Sequence, residues 1–336
     1  MKLVLTNLPA FYKIKLFNAI NEFEECFVIY TSNCIQERRK DFFQEDAKFR
    51  YIMLNGGKIR SALKLINIIL FTKYDELIIG GWDEIYNWIC AFLSPKEKNS
   101  LIVESSCYES TTTGIKGLIK RLFLCHISKI YASGTSQKKL CTLLGFKGDK
   151  IVITQGVGIF NYHEQPPYKS IEGVKNFLYV GRFSTEKNLS HLITVFNELP
   201  ELNLNLIGYG EQEEELKRIA ENNINFIGHV NNTELSKYYQ ANDVFILPSV
   251  VEPWGLVVEE ALNNGLPVIV SDRVGCGEEI IQNGVNGFIF KLGDRENLIK
   301  CIREITNINV YNTMRYNISK LNFEEIERRQ VQCYLK

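Results

Sequence analysis

The stretch 244–272, VFILPSVVEPWGLVVEEALNNGLPVIVSD, decides how the chain is read. Apolar runs broken by Pro248, Pro253 and Gly265 divide it into a buried strand over 244–247, a loop, a short helix from about 255 to 263, and a second buried strand over 267–270. Glu252 lies in the loop and Glu260 inside the helix. Residues 256 and 260 are four apart, so Leu256, Glu260 and the opening amides share one face, with Val257, Val258, Ala261 and Leu262 expected on the core side. A helix start presents unpaired N–H groups and about half a positive charge, and Gly255 lets a ligand approach the backbone closely. Amides for phosphate and carboxylates for sugar hydroxyls suit a nucleotide sugar. An ordinary strand–loop–helix with a solvated glutamate pair would show the same spacing.

Outward from this stretch, strand and helix patterns alternate along the whole chain. Strands are expected at 2–6, 27–30, 77–79, 101–103 and 130–132, with a helix opened by Pro9 whose Tyr12, Leu16, Ala19 and Phe23 keep helical spacing. A polar segment over 160–176 containing Pro166-Pro167 reads as a linker. Beyond it come a strand over 176–180, a helix carrying Leu189, Leu192, Ile193, Phe196 and Leu199, a strand over 204–207, a helix near 211–222, a strand over 225–227 and a helix near 233–241. Such alternation predicts two doubly wound, parallel α/β domains facing across a cleft, with ligands at the carboxyl ends of the strands. The expected division is 1–165, 166–310 and a charged helical segment over 311–336.

Bulk properties narrow the class. A chain of 336 residues is long for one core and suits two. Lys+Arg and Asp+Glu both number 39, so no global field draws nucleic acid. Nine cysteines without a C-x-x-C pair point to reduced thiols, a cytoplasmic setting and no zinc site. No secretory signal is expected over 1–10, and the greasiest run, 63–71, is too short and too polar to span a bilayer.

The segment GRFSTEKN, 181–188, follows a strand and opens a helix. Arg182 there is suited to fork onto phosphate oxygens, and Lys187 adds a point charge. Gly208-Tyr209-Gly210 resembles the start of a dinucleotide fingerprint but runs into Glu211, Glu213, Glu214 and Glu215, so a tight turn with an acidic helix start is expected instead. No Asp-x-Asp metal clamp occurs, and His126, His163, His191 and His229 lack ligand spacing. Along 115–129, Ile115, Leu118, Ile119, Leu122 and Phe123 fall on one side, with Lys116, Lys120 and Arg121 off it. That pattern suits either peripheral contact with an anionic membrane or packing of the apolar side on the chain's own sheet, and packing is the plainer expectation.

These residues resemble glycosyltransferase family 4, retaining enzymes of the two-Rossmann GT-B fold. The resemblance rests on PSVVEPWGLVVEEALNNGLPVIVSD, with glutamates separated by seven residues at Glu252 and Glu260, and on the G-R-x-x-x-x-K loop at Gly181, Arg182 and Lys187. It is supported by GCGEEII (275–281), NGVNGFIF (283–290) and ASGTSQKKLCTLLG (132–145). It implies that Arg182 and Lys187 hold the donor's diphosphate, that Gly255 and Leu256 support phosphate and sugar through the backbone, that Glu252 takes the donor sugar's hydroxyls and that Glu260 takes those of the ribose. It also implies that the last helix crosses back to the first domain. Three positions depart from the family pattern: Asn188 and Gly158, where glycine and aspartate are usual, and Trp254, which replaces a common phenylalanine.

The resulting expectation is a metal-independent retaining glycosyltransferase without a cofactor beyond its nucleoside diphosphate sugar, acting on a glycan or lipid-linked acceptor in surface polysaccharide or glycolipid assembly. Glu104, at a strand end, is the acceptor-side candidate, with helix capping or plain solvation as its alternatives. A nucleotide-sugar epimerase and an inactive nucleotide-sugar-binding subunit are the competing functions.

Overall fold

A computed structural model describes residues 1–31 and 45–335, which form two compact units: Met1–Phe160 together with Glu324–Lys336, and Asn161–Phe323. The chain thus passes between units at 160/161 and 323/324, where the sequence suggested 165/166 and 310/311. Helix α12 (Ile308–Ile318), most of which the sequence reading assigned to the charged tail, belongs with α11 (Arg295–Ile305) to the second unit.

The first unit contains a seven-stranded sheet, parallel throughout, in the order β3-β2-β1-β4-β5-β6-β7. Its strands are β1 (Lys2–Thr6), β2 (Cys26–Tyr30), β3 (Arg50–Met53), β4 (Glu76–Ile79), β5 (Asn99–Val103), β6 (Lys129–Ala132) and β7 (Ile151–Ile153). The central strands are near-continuous apolar runs because helices cover both faces. On one face lie α2 (Lys58–Phe71), α3 (Ile85–Leu93), α4 (Gly114–Leu124) and α5 (Thr135–Leu143), which share a core with Leu3, Leu5, Leu77 and Leu101. On the other lie α1 (Phe11–Asn21) and the final helix α13 (Phe323–Tyr334), whose Tyr334 stacks on Tyr131 with ring centroids 4.4 Å apart.

Helix α1 starts later than Pro9 suggests and buries a stripe shifted from the expected one. Leu16 enters the core as expected, together with Phe11, Ile14, Phe17 and Ile20, while Tyr12 and Ala19 are half-buried and Phe23 is exposed beyond the helix end. The reason is geometric: the strand before it fixes which side meets the sheet, and 14, 17 and 20 recur on that side.

The second unit repeats the plan with six parallel strands in the order β10-β9-β8-β11-β12-β13. They are β8 (Asn176–Val180), β9 (Asn203–Ile207), β10 (Ile224–Gly228), β11 (Val244–Leu247), β12 (Val268–Ser271) and β13 (Gly287–Phe290). From β8 the chain winds outward through β9 and β10, then returns to the centre and winds the other way from β11. The two directions part between β8 and β11, which are paired through Val244–Phe177 and Phe245–Leu178. In an open parallel sheet this switch point leaves a crevice at the strands' carboxyl ends.

Candidate functional site

The loops that follow β8 and β11 flank the switch point of the second unit, and they carry the residues singled out at 181–188 and 248–256. They are tied together by backbone and side chain: the Val250 amide donates to the Glu186 carbonyl at 2.8 Å, and the Asn188 amide side chain donates to the Pro248 carbonyl at 3.2 Å. Lys187 closes a single 3-10 turn, Thr185–Lys187, and Asn188 ends it in the left-handed region at φ 58° and ψ 34°. Only glycine and, among side-chain-bearing residues, asparagine or aspartate adopt this geometry at small cost. Asn188 therefore supplies the same turn that glycine would.

This turn delivers Lys187 onto Glu252. Its ammonium forms a short ion pair with the Glu252 carboxylate, and both side chains are largely buried. A charge-assisted hydrogen bond in such surroundings is strong, and removing one partner leaves the other charge desolvated. Arg182 differs. Its guanidinium is exposed and pairs at 3.2 Å with Glu186, while its carbonyl accepts the Tyr179 hydroxyl at 2.8 Å. The β8 loop also needs space: a Cβ at Gly208 would stand 1.8 Å from the Gly181 carbonyl oxygen. The glycine of Gly208-Tyr209-Gly210 thus serves close approach between strand ends, and the chain runs on into α7 (Glu213–Ile219) with Glu213, Glu214 and Glu215 in its first turn, as its carboxylates suggested.

After β11 the loop returns toward β12 through a bridge between Glu252 and Val274, and the Glu252 carbonyl accepts the Gly275 amide at 2.8 Å. Helix α9 (Leu256–Asn263) begins at Gly255, whose φ of 100° lies in left-handed territory. An added Cβ would meet Val274 Cγ1 at 3.1 Å and Glu252 Cγ at 3.4 Å, so the position has neither the conformation nor the room for a side chain. The Val258 amide donates to the Gly255 carbonyl at 2.9 Å, and the two amides before it, of Leu256 and Val257, have no acceptor within the helix. Leu256, at the helix's first position, is half-buried.

The two consecutive glutamates of α9 behave differently from one another. Val258, Ala261 and Leu262 face the core as expected; Val257 is only half-buried, and Glu259, which the apolar pattern does not mark, is buried. Burial pushes the Glu259 carboxyl up to about 8, against the pull of a hydrogen bond from the Trp254 indole at 2.8 Å and with help from the neighbouring Glu260 charge. Glu260 is raised to about 7 by burial, opposed by the Tyr239 hydroxyl that donates to it at 3.1 Å. Trp254 and Glu259 therefore form a pair that sequence reasoning missed. The available signal was the tryptophan in place of phenylalanine: an indole N–H brought into a core requires an acceptor.

In the first unit Glu104 follows β5. It neither caps a helix nor stands free in solvent: its carboxylate pairs with the buried Lys13 of α1 at 2.9 Å, and its carbonyl accepts the Gln137 side chain at 3.0 Å. Gly158 has φ 155°, and a Cβ there would meet the Tyr12 carbonyl oxygen at 2.6 Å, which explains why aspartate does not stand at this position. Among the described residues, no three His, Cys, Asp or Glu side chains converge as a metal site would need.

The helix at 115–129 departs from the packing expectation. Phe123 and Gly117 of α4 are buried, but Ile115, Leu118, Ile119 and Leu122 point into solvent. The apolar stripe faces outward because the contact with the sheet is made by the opposite side of the helix, through Gly117, Phe123 and Leu124.

A family model for glycosyl transferases group 1 matches residues 163–321. An uncharacterized glycosyltransferase of Haemophilus influenzae is 32% identical over 288 residues, 80% of this chain and 79% of that one. Sulfoquinovosyl transferase SQD2 of Arabidopsis thaliana is 37% identical over 155 residues, which are 45% of this chain and 30% of the plant enzyme. Among solved structures, Anabaena Alr3699/HepE in complex with UDP and glucose superposes with a TM-score of 0.74 at 16% identity, over 99% of both chains. The apo form of the lipopolysaccharide outer core galactosyltransferase WaaB gives 0.73 at 16% identity, over 100% of this chain and 99% of that one. Each unit is Rossmann-like and the fold is GT-B. With a relative 32% identical along four-fifths of its length, the chain belongs to the group 1 glycosyl transferases.

Proposed function

We propose that this protein is a retaining glycosyltransferase of family 4 that moves a sugar from a nucleoside diphosphate sugar to an acceptor hydroxyl, with no metal and no further cofactor. The observation that carries the proposal is the ion pair between Lys187 and Glu252, which joins the two loops at the switch point of the second unit beside the start of α9. In this reading Arg182 and Lys187 hold the diphosphate, Gly181 keeps the loop close to it, and the Gly255 and Leu256 backbone supports phosphate and sugar. Glu252 orients Lys187 and accepts hydrogen bonds from the donor sugar. Glu260 accepts them from the ribose.

The barrier to glycosyl transfer is charge separation. As the bond between the anomeric carbon and the diphosphate oxygen breaks, that oxygen gains negative charge and the carbon becomes cationic. Preorganised donors aimed at the leaving phosphate lower this barrier, each by about 3–4 kcal/mol when well placed. The acceptor oxygen then bonds to the anomeric carbon on the face the diphosphate leaves, and the acceptor's proton passes to the departing phosphate oxygen. The products are the glycosylated acceptor and a nucleoside diphosphate. Lysine and arginine supply the positive charge that a divalent ion would otherwise bring, which supports the metal-independent reading.

For the acceptor we propose a growing surface polysaccharide or glycolipid carried on a lipid, with Glu104 as the first-unit residue that meets it. The names of WaaB and of a relative described as a protein in the cps region of Klebsiella pneumoniae support that setting. UDP in the Anabaena structure supports a uridine donor. Family membership sets the epimerase alternative aside, and no observation at the site favours an inactive subunit. Thermal-shift measurements with UDP, GDP and ADP test the reading: the matching nucleotide at 100 times its Kd should stabilise the protein by about 2.7 kcal/mol. If none of the three nucleotides raises the melting temperature, the donor assignment fails.

A further inference from the structure

The helical layer over the first unit's sheet has an outer surface unlike the rest of the chain. Helices α2, α3 and α4 follow one another across one face of the sheet, held together by contacts such as Trp88 against Phe123, 5.0 Å between ring centroids. Their inner sides form the core. Their outer sides expose large apolar residues at every step: Ile59 is 79% exposed, Phe71 80%, Ile115 79% and Leu118 64%, with Ile85 and Phe92 of α3 between them. At 100° per residue, Ile115, Leu118, Ile119 and Leu122 occupy an arc of about 100° directed away from the sheet.

Charge on the same surface has one sign. Helices α2 and α4 carry Lys58, Arg60, Lys64, Lys116, Lys120 and Arg121 and no acidic residue, and α3 carries no charge. Asp83 and Glu84 precede α3, and Asp83 acts on Lys120. Lys120 is also engaged internally, donating to the Thr111 carbonyl at 3.0 Å; Lys116 and Arg121 are exposed. A chain with equal numbers of acids and bases thus concentrates cations around an exposed apolar surface.

We propose that the outer surface of α2, α3 and α4 docks on a membrane bearing anionic lipid headgroups. Apolar side chains enter the boundary between headgroups and acyl chains, and the lysines and arginines beside them meet the phosphates. A second copy of this chain fits poorly, because a two-fold contact would set these cations against themselves. Single-stranded nucleic acid fits poorly as well, because most of the exposed side chains are aliphatic and offer bases no stacking platform. The proposal stands on this surface alone and is independent of the donor chemistry.

Sedimentation of the full chain with vesicles tests it without any activity readout. The wild type should pellet with phosphatidylcholine vesicles containing phosphatidylglycerol, stay in solution with phosphatidylcholine alone, and be released as salt rises. Leu118→Ser combined with Leu122→Ser, and separately Lys116→Glu combined with Arg121→Glu, should each lower the partition coefficient by roughly tenfold or more. All four positions are exposed, so an unchanged melting temperature verifies the fold. Wild-type protein left in the supernatant with anionic vesicles at low salt would overturn the proposal, as would variants that pellet like the wild type. A dimer in sedimentation velocity that the leucine variant abolishes would also overturn it, by assigning the surface to a second copy.

Discussion

Each unit holds a lysine–glutamate pair near the carboxyl edge of its sheet, and the two pairs differ in what surrounds them. Lys13 and Glu104 link α1 to the end of β5, with Gln137 of α5 on the Glu104 backbone, and the glycine that precedes α5, Gly134, is extended rather than left-handed. Lys187 and Glu252 instead join the loops on either side of a switch point, next to Gly255 in a left-handed conformation and to two carboxyls titrating near neutrality. In the proposed reading the same two residue types hold elements together in one place and assemble a ligand site in the other. Position relative to the strand order, rather than residue identity, makes the difference.

Kinetics offer the hardest way to break this comparison. Lys187→Ala should lower kcat/KM for the donor by about 100-fold to 1,000-fold, the loss of one preorganised donor, while the fold survives. Activity within a factor of two would place the second pair on a level with the first. Glu260→Ala sharpens the contrast from the ribose side. Nucleotide affinity should weaken by roughly 1.5–3 kcal/mol by calorimetry, and an unchanged Kd would remove Glu260 from the site.

The pH behaviour of Glu260 and Glu259 gives smaller effects with opposite readouts. Hydroxyl donors from a ribose favour the carboxylate, so wild-type nucleotide affinity should rise between pH 6 and pH 8 as Glu260, raised to about 7, loses its proton. A flat profile would contradict ribose contact there. For stability the sign runs the other way. Glu259 has a folded value near 8, above that of an unfolded glutamate, so its contribution is full below the unfolded value and is lost as pH rises through the folded one. Glu259→Gln keeps an acceptor for Trp254 and removes the charge. Its melting temperature relative to wild type should therefore be higher at pH 8.5 than at pH 5; a difference independent of pH would show that the buried carboxyl does not titrate there. The smallest effect is expected at the first pair, where Glu104→Gln should raise the acceptor KM a few-fold and leave the donor KM alone. No change in turnover or in acceptor KM would dismiss Glu104 as an acceptor contact.

Much of this arrangement was legible from residue order alone. Long apolar runs such as VFIL at 244–247 have no alternative to a buried strand, and the helix after Gly255 announced itself by its spacing. The strands that escaped reading lie at or near the sheet edges: β3, with Arg50 and Tyr51 exposed, β7 with three residues, and β13, which begins at Gly287 in a glycine-containing turn. Strands β3 and β7 bury one side or less and lose the pattern that marks central ones, whereas β13 is largely buried and is masked by its four-residue length and the glycines at its start. The α4 stripe was visible but its direction was not, because an amphipathic repeat shows that a helix has an apolar side without stating which body covers it. Glu259 was hidden for a related reason: its burial depends on the indole of Trp254 five residues earlier, a tertiary pairing that helical periodicity does not encode.

The central claim is that the Lys187 loop and the Glu252 loop together grip the diphosphate of a nucleotide. Calorimetric titration of the nucleoside diphosphate that stabilises the wild type most, carried out on wild type and Lys187→Ala side by side, tests it most directly. The account predicts an affinity at least about 100-fold weaker in the variant. Equal affinities in the two proteins would contradict it.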